Sequence, residues 1–212
     1  MYRAKSRLGE WAASRIGEEL RLGIGSGSTV DAFIGALKRW EEVVRRSRCC
    51  TAASLESEHQ ARQAGLIVKP LKDFSEADLV VDGADTVGRE GTLIKGGGVA
   101  LVRERLLIAA AKRVQILVDA SKCRTFFRRR GSFWLEADQR GGGPQADWVE
   151  LRTQAGKPQN TDDGLYVLDV HYGTLDAPQS LHQNLKQLAG LVDSGIFFGY
   201  APEIWMSDGE SV

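Results

Sequence analysis

With 212 residues, 42% of them hydrophobic and 8% aromatic, the chain can bury one full domain core plus a small appendage, which excludes overall disorder. Lys and Arg number 28 and Asp and Glu also 28, so the formal net charge is +0 and no global field draws the chain to nucleic acid or an anionic membrane. Any anion must be caught by local groups. Cys49, Cys50 and Cys123 are odd in number and lack paired metal spacing, which speaks against a disulfide framework or a zinc site and for a reducing compartment. Met1 to Leu22 carries no signal-peptide core and no later run is long enough to span a bilayer, so the expectation is a soluble, unexported, cytoplasmic protein.

In chain order, Leu8, Trp11, Ala12 and Ile16 recur at helical spacing, and Leu20, Leu22 and Ile24 alternate as a strand into a glycine-rich turn, Gly23 to Ser28. A second helix is predicted from Thr29 through Phe33, Ile34 and Leu37 to about Trp40. A short strand near Thr51 and a helix over Glu56 to Ala64 follow. Asp78 to Val81 reads as a strand stopping at Asp82, Val99 to Ala111 as a helix, and Val114 to Val118 as a strand. Such alternation predicts an α/β fold with a mostly parallel sheet covered on both faces. Between Arg124 and Gln154 the pattern breaks down, with Arg128 to Gly131 basic and Gly141 to Pro144 loop-like, which marks the entry to a smaller α+β piece. There Tyr166 to Val170 reads as a strand, Pro178 to about Leu188 as a helix, and Leu191 to Phe198 and Ile204 to Met206 as strands, a βαβ-like arrangement. The expected boundaries are 1–124 for the main domain, completed by about 200–212, and 125–199 for the small one.

Four constellations carry chemistry. Gly23-Ile24-Gly25-Ser26-Gly27-Ser28-Thr29 follows a strand and opens a helix, so backbone N–H groups, hydroxyls and the helix dipole suit a phosphate. It lacks the Gly-Lys-Ser/Thr ending of a P-loop, and a capped structural turn fits the same residues. Asp82-Gly83-Ala84-Asp85 sits past a strand end, where open α/β sheets bind ligands; its carboxylates suit sugar hydroxyls, proton transfer or a divalent metal, or only an Asp-rich turn. Lys95-Gly96-Gly97-Gly98 brings close-approach backbone and a point charge together, ahead of a helix with Arg103-Glu104-Arg105. A Glu between two arginines on a helix is ordinarily solvated. Asp119-Ala120-Ser121-Lys122 again follows a strand, so Lys122 is either a phosphate ligand or a surface lysine. The run Arg128 to Arg130 reads as a solvated face, and His59, His171 and His182 have no metal-ligand spacing.

In this order, the loop ending Gly27-Ser28-Thr29, Asp82-Gly83-Ala84-Asp85, Lys95-Gly96-Gly97-Gly98, Arg103-Glu104 and Asp119-Ala120-Ser121-Lys122 resemble the ribose-5-phosphate isomerase A family. The likeness runs from about Trp11 to Asp208 and includes Thr161-Asp162-Asp163-Gly164 and Leu168-Asp169-Val170. The resemblance implies a Rossmann-like main domain with a small α+β domain, a homodimer or tetramer, and interconversion of D-ribose 5-phosphate and D-ribulose 5-phosphate in the non-oxidative pentose phosphate pathway, with neither metal nor cofactor. By motif, Glu104 is the base moving a proton between C2 and C1, and Lys95 with Gly96, Gly97 and Gly98 stabilises the enediolate. Asp82 and Asp85, with Gly83 and Ala84, hold hydroxyls and assist ring opening. Ser26, Gly27, Ser28, Thr29 and Lys122 grip the substrate, chiefly by its phosphate.

The chain departs from the family at Thr86, where an acidic residue is usual, at Val99, where a smaller one is common, and over Gly131 to Trp148. These leave open an isomerase of another aldose phosphate. The rival from another class is a non-catalytic sugar-phosphate sensor, which calls for a DNA-binding helix-turn-helix that has no room before Trp11 and gives no reason to keep both Lys95 and Glu104. A metal enzyme built on Asp82 and Asp85 has too few ligands.

Overall fold

The computed structural model describes residues 2–17, 20–39, 49–123, 131–137, 148–172, 175 and 177–212. Trp40, Arg128 to Arg130 and Gly141 to Pro144, read above as a helix end, a basic run and a loop, lie outside them. The elements are helix α1 (Tyr2–Ala13), strand β1 (Arg21–Ile24), α2 (Ser28–Leu37), β2 (Cys49–Ala52), α3 (Leu55–Gln63), β3 (Leu79–Gly83), β4 (Thr86–Val87), β5 (Leu93–Ile94), α4 (Leu101–Ala109) and β6 (Val114–Asp119). Then come β7 (Gly131–Ala137), β8 (Trp148–Leu151), β9 (Thr153–Gln154), β10 (Lys157–Pro158), β11 (Tyr166–Tyr172), α5 (Pro178–Leu185), β12 (Leu191–Ser194), β13 (Ile196–Phe197) and β14 (Glu203–Ser207). Two compact units result, residues 1–84, 103–123 and 200–212, and residues 85–102 and 124–199.

The first unit is built on a five-stranded sheet of order β14-β6-β3-β1-β2 with every neighbouring pair parallel. All six residues of β6 are buried, the continuous run that a doubly covered parallel strand requires. Local signals start and stop the helices. Ser54 caps α3 by accepting the Ser57 N–H at 3.0 Å. The core gathers Leu8 and Ala12 of α1, Phe33 and Leu37 of α2, Leu22 and Ile24 of β1, and Val81 and Leu117 of the neighbouring strands. Trp11 stacks on Trp205 of β14 at 3.8 Å between ring centroids. From β1 the chain runs to β2 on one side and then returns to β3 on the other, so the strand order reverses between β1 and β3. Open α/β sheets bind ligands at such a point, beyond the carboxyl ends of the strands.

In the second unit, an antiparallel sheet of order β12-β7-β11-β8 carries a hydrophobic cluster of Val170, Leu185 and Ile196 with Ile94. Strands β11 and β12 both run antiparallel to β7, hence parallel to each other, and α5 joins them: a split βαβ unit, the form the expected βαβ-like piece takes. Proline opens α5 at its first turn.

Four differences from the sequence reading have physical causes. The unpatterned stretch before Gln154 contains β7 and β8, because β7 gains its partners β11 and β12 from residues 166–194, far along the chain. The single run Leu191 to Phe198 breaks at Gly195: β12 pairs with β7, while β13 pairs with β5. That second pairing gathers residues 85–102 with the second unit rather than with residues 1–84, where the expected boundary at 124 had them. The helix expected from Val99 begins at Leu101, since Val99 has φ 64° and is outside the right-handed helical region.

Candidate active site

The first unit assembles one group around Ser26. Its backbone N–H lies 3.3 Å from Asp82 Oδ1, which also accepts the Gly83 N–H at 2.7 Å, and its hydroxyl donates to Glu104 Oε1 at 2.7 Å. One serine therefore touches two carboxylates, one from the end of β3 and one from α4. Asp82 is 0% exposed and Glu104 4%, so neither has the solvated role a lone helical Glu ordinarily takes. Burying carboxylates is costly unless donors meet them, and such sites are where catalytic acids and bases are found. The approach of β1's loop to Asp82 demands glycine: a Cβ on Gly25 would lie 1.9 Å from Asp82 Oδ1.

Beside this group, α2 starts at Ser28 with Gly27 as an N-cap that supplies no side-chain hydrogen bond. Lys5 of α1 donates to Ser28 Oγ at 2.6 Å, bringing a cation to the helix N-terminus. Burial raises the pKa of Asp31, one turn on, an effect opposed by a hydrogen bond to Gln60 and by Lys5. Thr29 is half-buried on the same turn and faces the Gly83 backbone, and Gly83 and Ala84 complete the end of β3. Lys122, half-buried, closes the 3-10 turn Ala120–Lys122 past β6, the strand next to β3; Asp119 caps that turn by accepting the Ser121 N–H at 3.1 Å. Ser28, Thr29, Gly83, Ala84 and Lys122 thus lie at or just past the carboxyl ends of β1, β3 and β6.

The second unit assembles another group. Lys95 is 3% exposed, extends the β5–β13 pairing by donating its N–H to Gly195 O at 2.8 Å, and has its ammonium 5.9 Å from the Phe197 ring centroid. The chain turns at Gly96 to Val99, where the Val99 N–H bonds Gly96 O at 3.1 Å. Asp85 Oδ2 accepts the Gly97 N–H at 2.9 Å, and a Cβ on Gly97 would meet that carboxylate at 2.9 Å. Gly97 and Gly98 are exposed. Of the expected site residues, Ser26, Gly27, Ser28, Thr29, Asp82, Gly83, Ala84, Glu104 and Lys122 thus belong to the first unit, and Asp85, Lys95, Gly96, Gly97 and Gly98 to the second.

Sequence reasoning passed over two features. Lys5 lies before the first residue used for the helix pattern, Leu8, although it sits one turn earlier on the same face. Arg152, more than fifty residues further along the chain, donates to Gly96 O at 3.3 Å and Gly97 O at 3.4 Å, and no spacing in the sequence connects them. Among the described residues no three His, Cys, Asp or Glu side chains converge as metal ligands. Cys49 and Cys50 are buried free thiols, and burial pushes the Cys50 thiol up to about 12, so it is inert at neutral pH.

The sequence profile of the family described as "Ribose 5-phosphate isomerase A (phosphoriboisomerase A)" matches residues 49–133 and 134–211. The chain belongs to that family. It is 36% identical over 210 residues to ribose-5-phosphate isomerase A of Bartonella bacilliformis, covering 90% of this chain and 88% of the relative. The fold matches a ribose 5-phosphate isomerase from Plasmodium falciparum with a TM-score of 0.86 at 23% identity, over 98% of this chain and 94% of that one. It also matches a D-ribose-5-phosphate isomerase in complex with phospho-erythronic acid, with a TM-score of 0.85 at 23% identity, over 96% and 93% of the two chains. The Rossmann-like parallel sheet and the smaller α+β unit are therefore this family's architecture. No helix among the described residues is long and apolar enough to cross a membrane.

Proposed function

We propose that the chain interconverts D-ribose 5-phosphate and D-ribulose 5-phosphate, with Glu104 as the base. Family membership supports the reaction. The observation that carries the residue assignment is the buried Glu104 carboxylate held by Ser26 at the switch-point end of the parallel sheet. Glu104 removes the proton from C2 of the open-chain aldose. The released electron pair forms the C1–C2 double bond and the carbonyl electrons move onto O1, giving an enediolate. The proton is returned to C1 while the O2 proton passes to O1 and the C2 carbonyl forms, so the ketose forms with no net gain or loss of protons or electrons.

Lys95 and the glycine-loop backbone meet the charge that develops on oxygen, where preorganised donors in a water-poor site are worth several kcal/mol. Asp82 and Asp85 receive sugar hydroxyls and assist ring opening. Ser26 to Thr29, Lys122 and Lys5 hold the phosphate, the helix N-terminus adding its dipole. The phospho-erythronic acid of the solved relative is a phosphorylated sugar acid, in keeping with that substrate class. A homodimer or tetramer in the cytoplasm completes the reading, with sizing by light scattering as its check.

The test is to follow ketulose formation from ribose 5-phosphate by purified, EDTA-treated protein and by Glu104→Gln. A loss of about 10²- to 10⁴-fold in kcat is expected for the variant; equal rates would remove Glu104 from the role. Turnover of another aldose phosphate in place of ribose 5-phosphate would keep the mechanism and change the substrate.

A further inference from the structure

In the second unit, Arg152 follows the last residue of β8 and bonds its N–H to Val167 O on β11 at 2.8 Å. Asp169 lies two residues along β11 on the same face, the diagonal position that long side chains reach across a sheet. Arg152 Nε donates to Asp169 Oδ2 at 3.1 Å and a terminal nitrogen donates to Oδ1, so the guanidinium is held by a bidentate pair. The two side chains are 15% and 17% exposed. The remaining nitrogen, Nη1, points at Gly96 O and Gly97 O. A planar fork with five donors can do this; a lysine ammonium cannot hold the carboxylate edge-on and both carbonyls together.

We propose that Arg152, fixed by Asp169, is a positioning residue that sets the peptide orientation of the Lys95-Gly96-Gly97-Gly98 loop for catalysis. The inference rests on the isomerase reading of that loop. The Gly96–Gly97 peptide has the guanidinium at its oxygen and the Asp85 carboxylate at its N–H, so both charges favour one orientation of its dipole. The next peptide has its oxygen on the same guanidinium. Across a trans peptide the N–H points opposite to the C=O, so the Gly98 N–H is directed away from Arg152. Glycine backbones rotate readily, and without the guanidinium a flipped peptide would present a carbonyl oxygen where the enediolate needs a donor. Arg152 therefore acts on the transition state through the loop and leaves the phosphate grip alone.

The experiment compares Arg152→Met, Arg152→Lys and Asp169→Asn with the parent chain. It measures kcat per folded protein (folded fraction from circular dichroism), KM for ribose 5-phosphate, and inhibition by inorganic phosphate. Arg152→Met is expected to lower normalised kcat on the order of 10- to 100-fold, less than outright removal of an oxyanion donor at its upper end. KM and the phosphate inhibition constant should stay within about 3-fold of the parent, since ground-state binding is untouched. Arg152→Lys should recover part of the loss and Asp169→Asn should show a smaller one. If Arg152→Met does not fold, the other two variants carry the test. Normalised kcat within about 2-fold of the parent in the folded variants, or a raised KM with kcat unchanged, would overturn the inference while leaving the isomerase reading intact. A parent chain that turns over no aldose phosphate would overturn that reading and the inference with it.

Discussion

Two glycine-rich loops have different proposed jobs and are held in different ways. The loop after β1 is fixed by the end of the neighbouring strand β3 and by its own helix: Gly25 N–H bonds Val81 O at 2.9 Å, Ser26 N–H reaches Asp82, and α2 begins at once. The loop after β5 is fixed by charged side chains, by Asp85 at a peptide N–H and by the Arg152–Asp169 pair at two carbonyls. It also ends in Val99 at φ 64°, a left-handed conformation that a β-branched residue adopts only under constraint. A loop that grips a constant group such as phosphate can be built from strand ends and a helix start. A loop that must present N–H groups to a transient charge needs its orientation enforced from outside.

Breaking the first loop should have the largest effect. Gly25→Ala places a methyl 1.9 Å from Asp82 Oδ1, so strand β1 or the carboxylate must move. A destabilisation of about 3 kcal/mol or more and loss of turnover are expected, read by thermal melting and by initial rates. Lys5→Met tests the same loop more gently. Losing a charged hydrogen bond beside the proposed phosphate position should raise KM about 10-fold with kcat little changed. A kcat defect instead would place Lys5 in the chemistry.

Val99→Gly probes the second loop from the opposite side. Relief of the left-handed conformation should stabilise the protein by about 1 kcal/mol, seen as a rise in melting temperature. Because the guanidinium still sets the peptides, kcat should not rise. The smallest effect lies at the other end of β1 from its loop. Asp78 accepts hydrogen bonds from the Arg21 side chain, the Arg21 backbone N–H and Lys112, which hold its carboxyl well below the usual carboxylate range. A depressed folded-state pKa adds stability above the unfolded value, near pH 3.9, that is lost as pH falls toward the folded one. Asp78→Asn should therefore flatten the acid limb of the stability curve below about pH 4 and leave neutral activity unchanged.

The same contrast explains what could be read from sequence. Strands β1, β3 and β6 announce themselves as apolar runs, and each ends in a motif that stays in place when the chain folds. Ser26 and Asp82 are visible in those motifs and Glu104 in the helix after the Lys95 loop, though not that one serine touches both acids. The second unit was harder because its strands depend on remote partners: β7 has neighbours supplied by residues 166–172 and 191–194. Gly195 ends β12 and so separates two strands that one apolar run suggested. Val99 shortens its helix through a left-handed backbone angle that valine, being β-branched, does not signal. Arg152 became visible only when β8 and β11 lay side by side.

The most direct test of proton transfer by Glu104 is isomerisation in D2O, with deuterium at C1 of the ketose measured by NMR. The parent chain should give ketose carrying solvent deuterium at C1, and Glu104→Gln should form it at least about 10²-fold more slowly. Ketose free of solvent deuterium, made at the same rate by both proteins, would contradict an enediolate formed by this carboxylate.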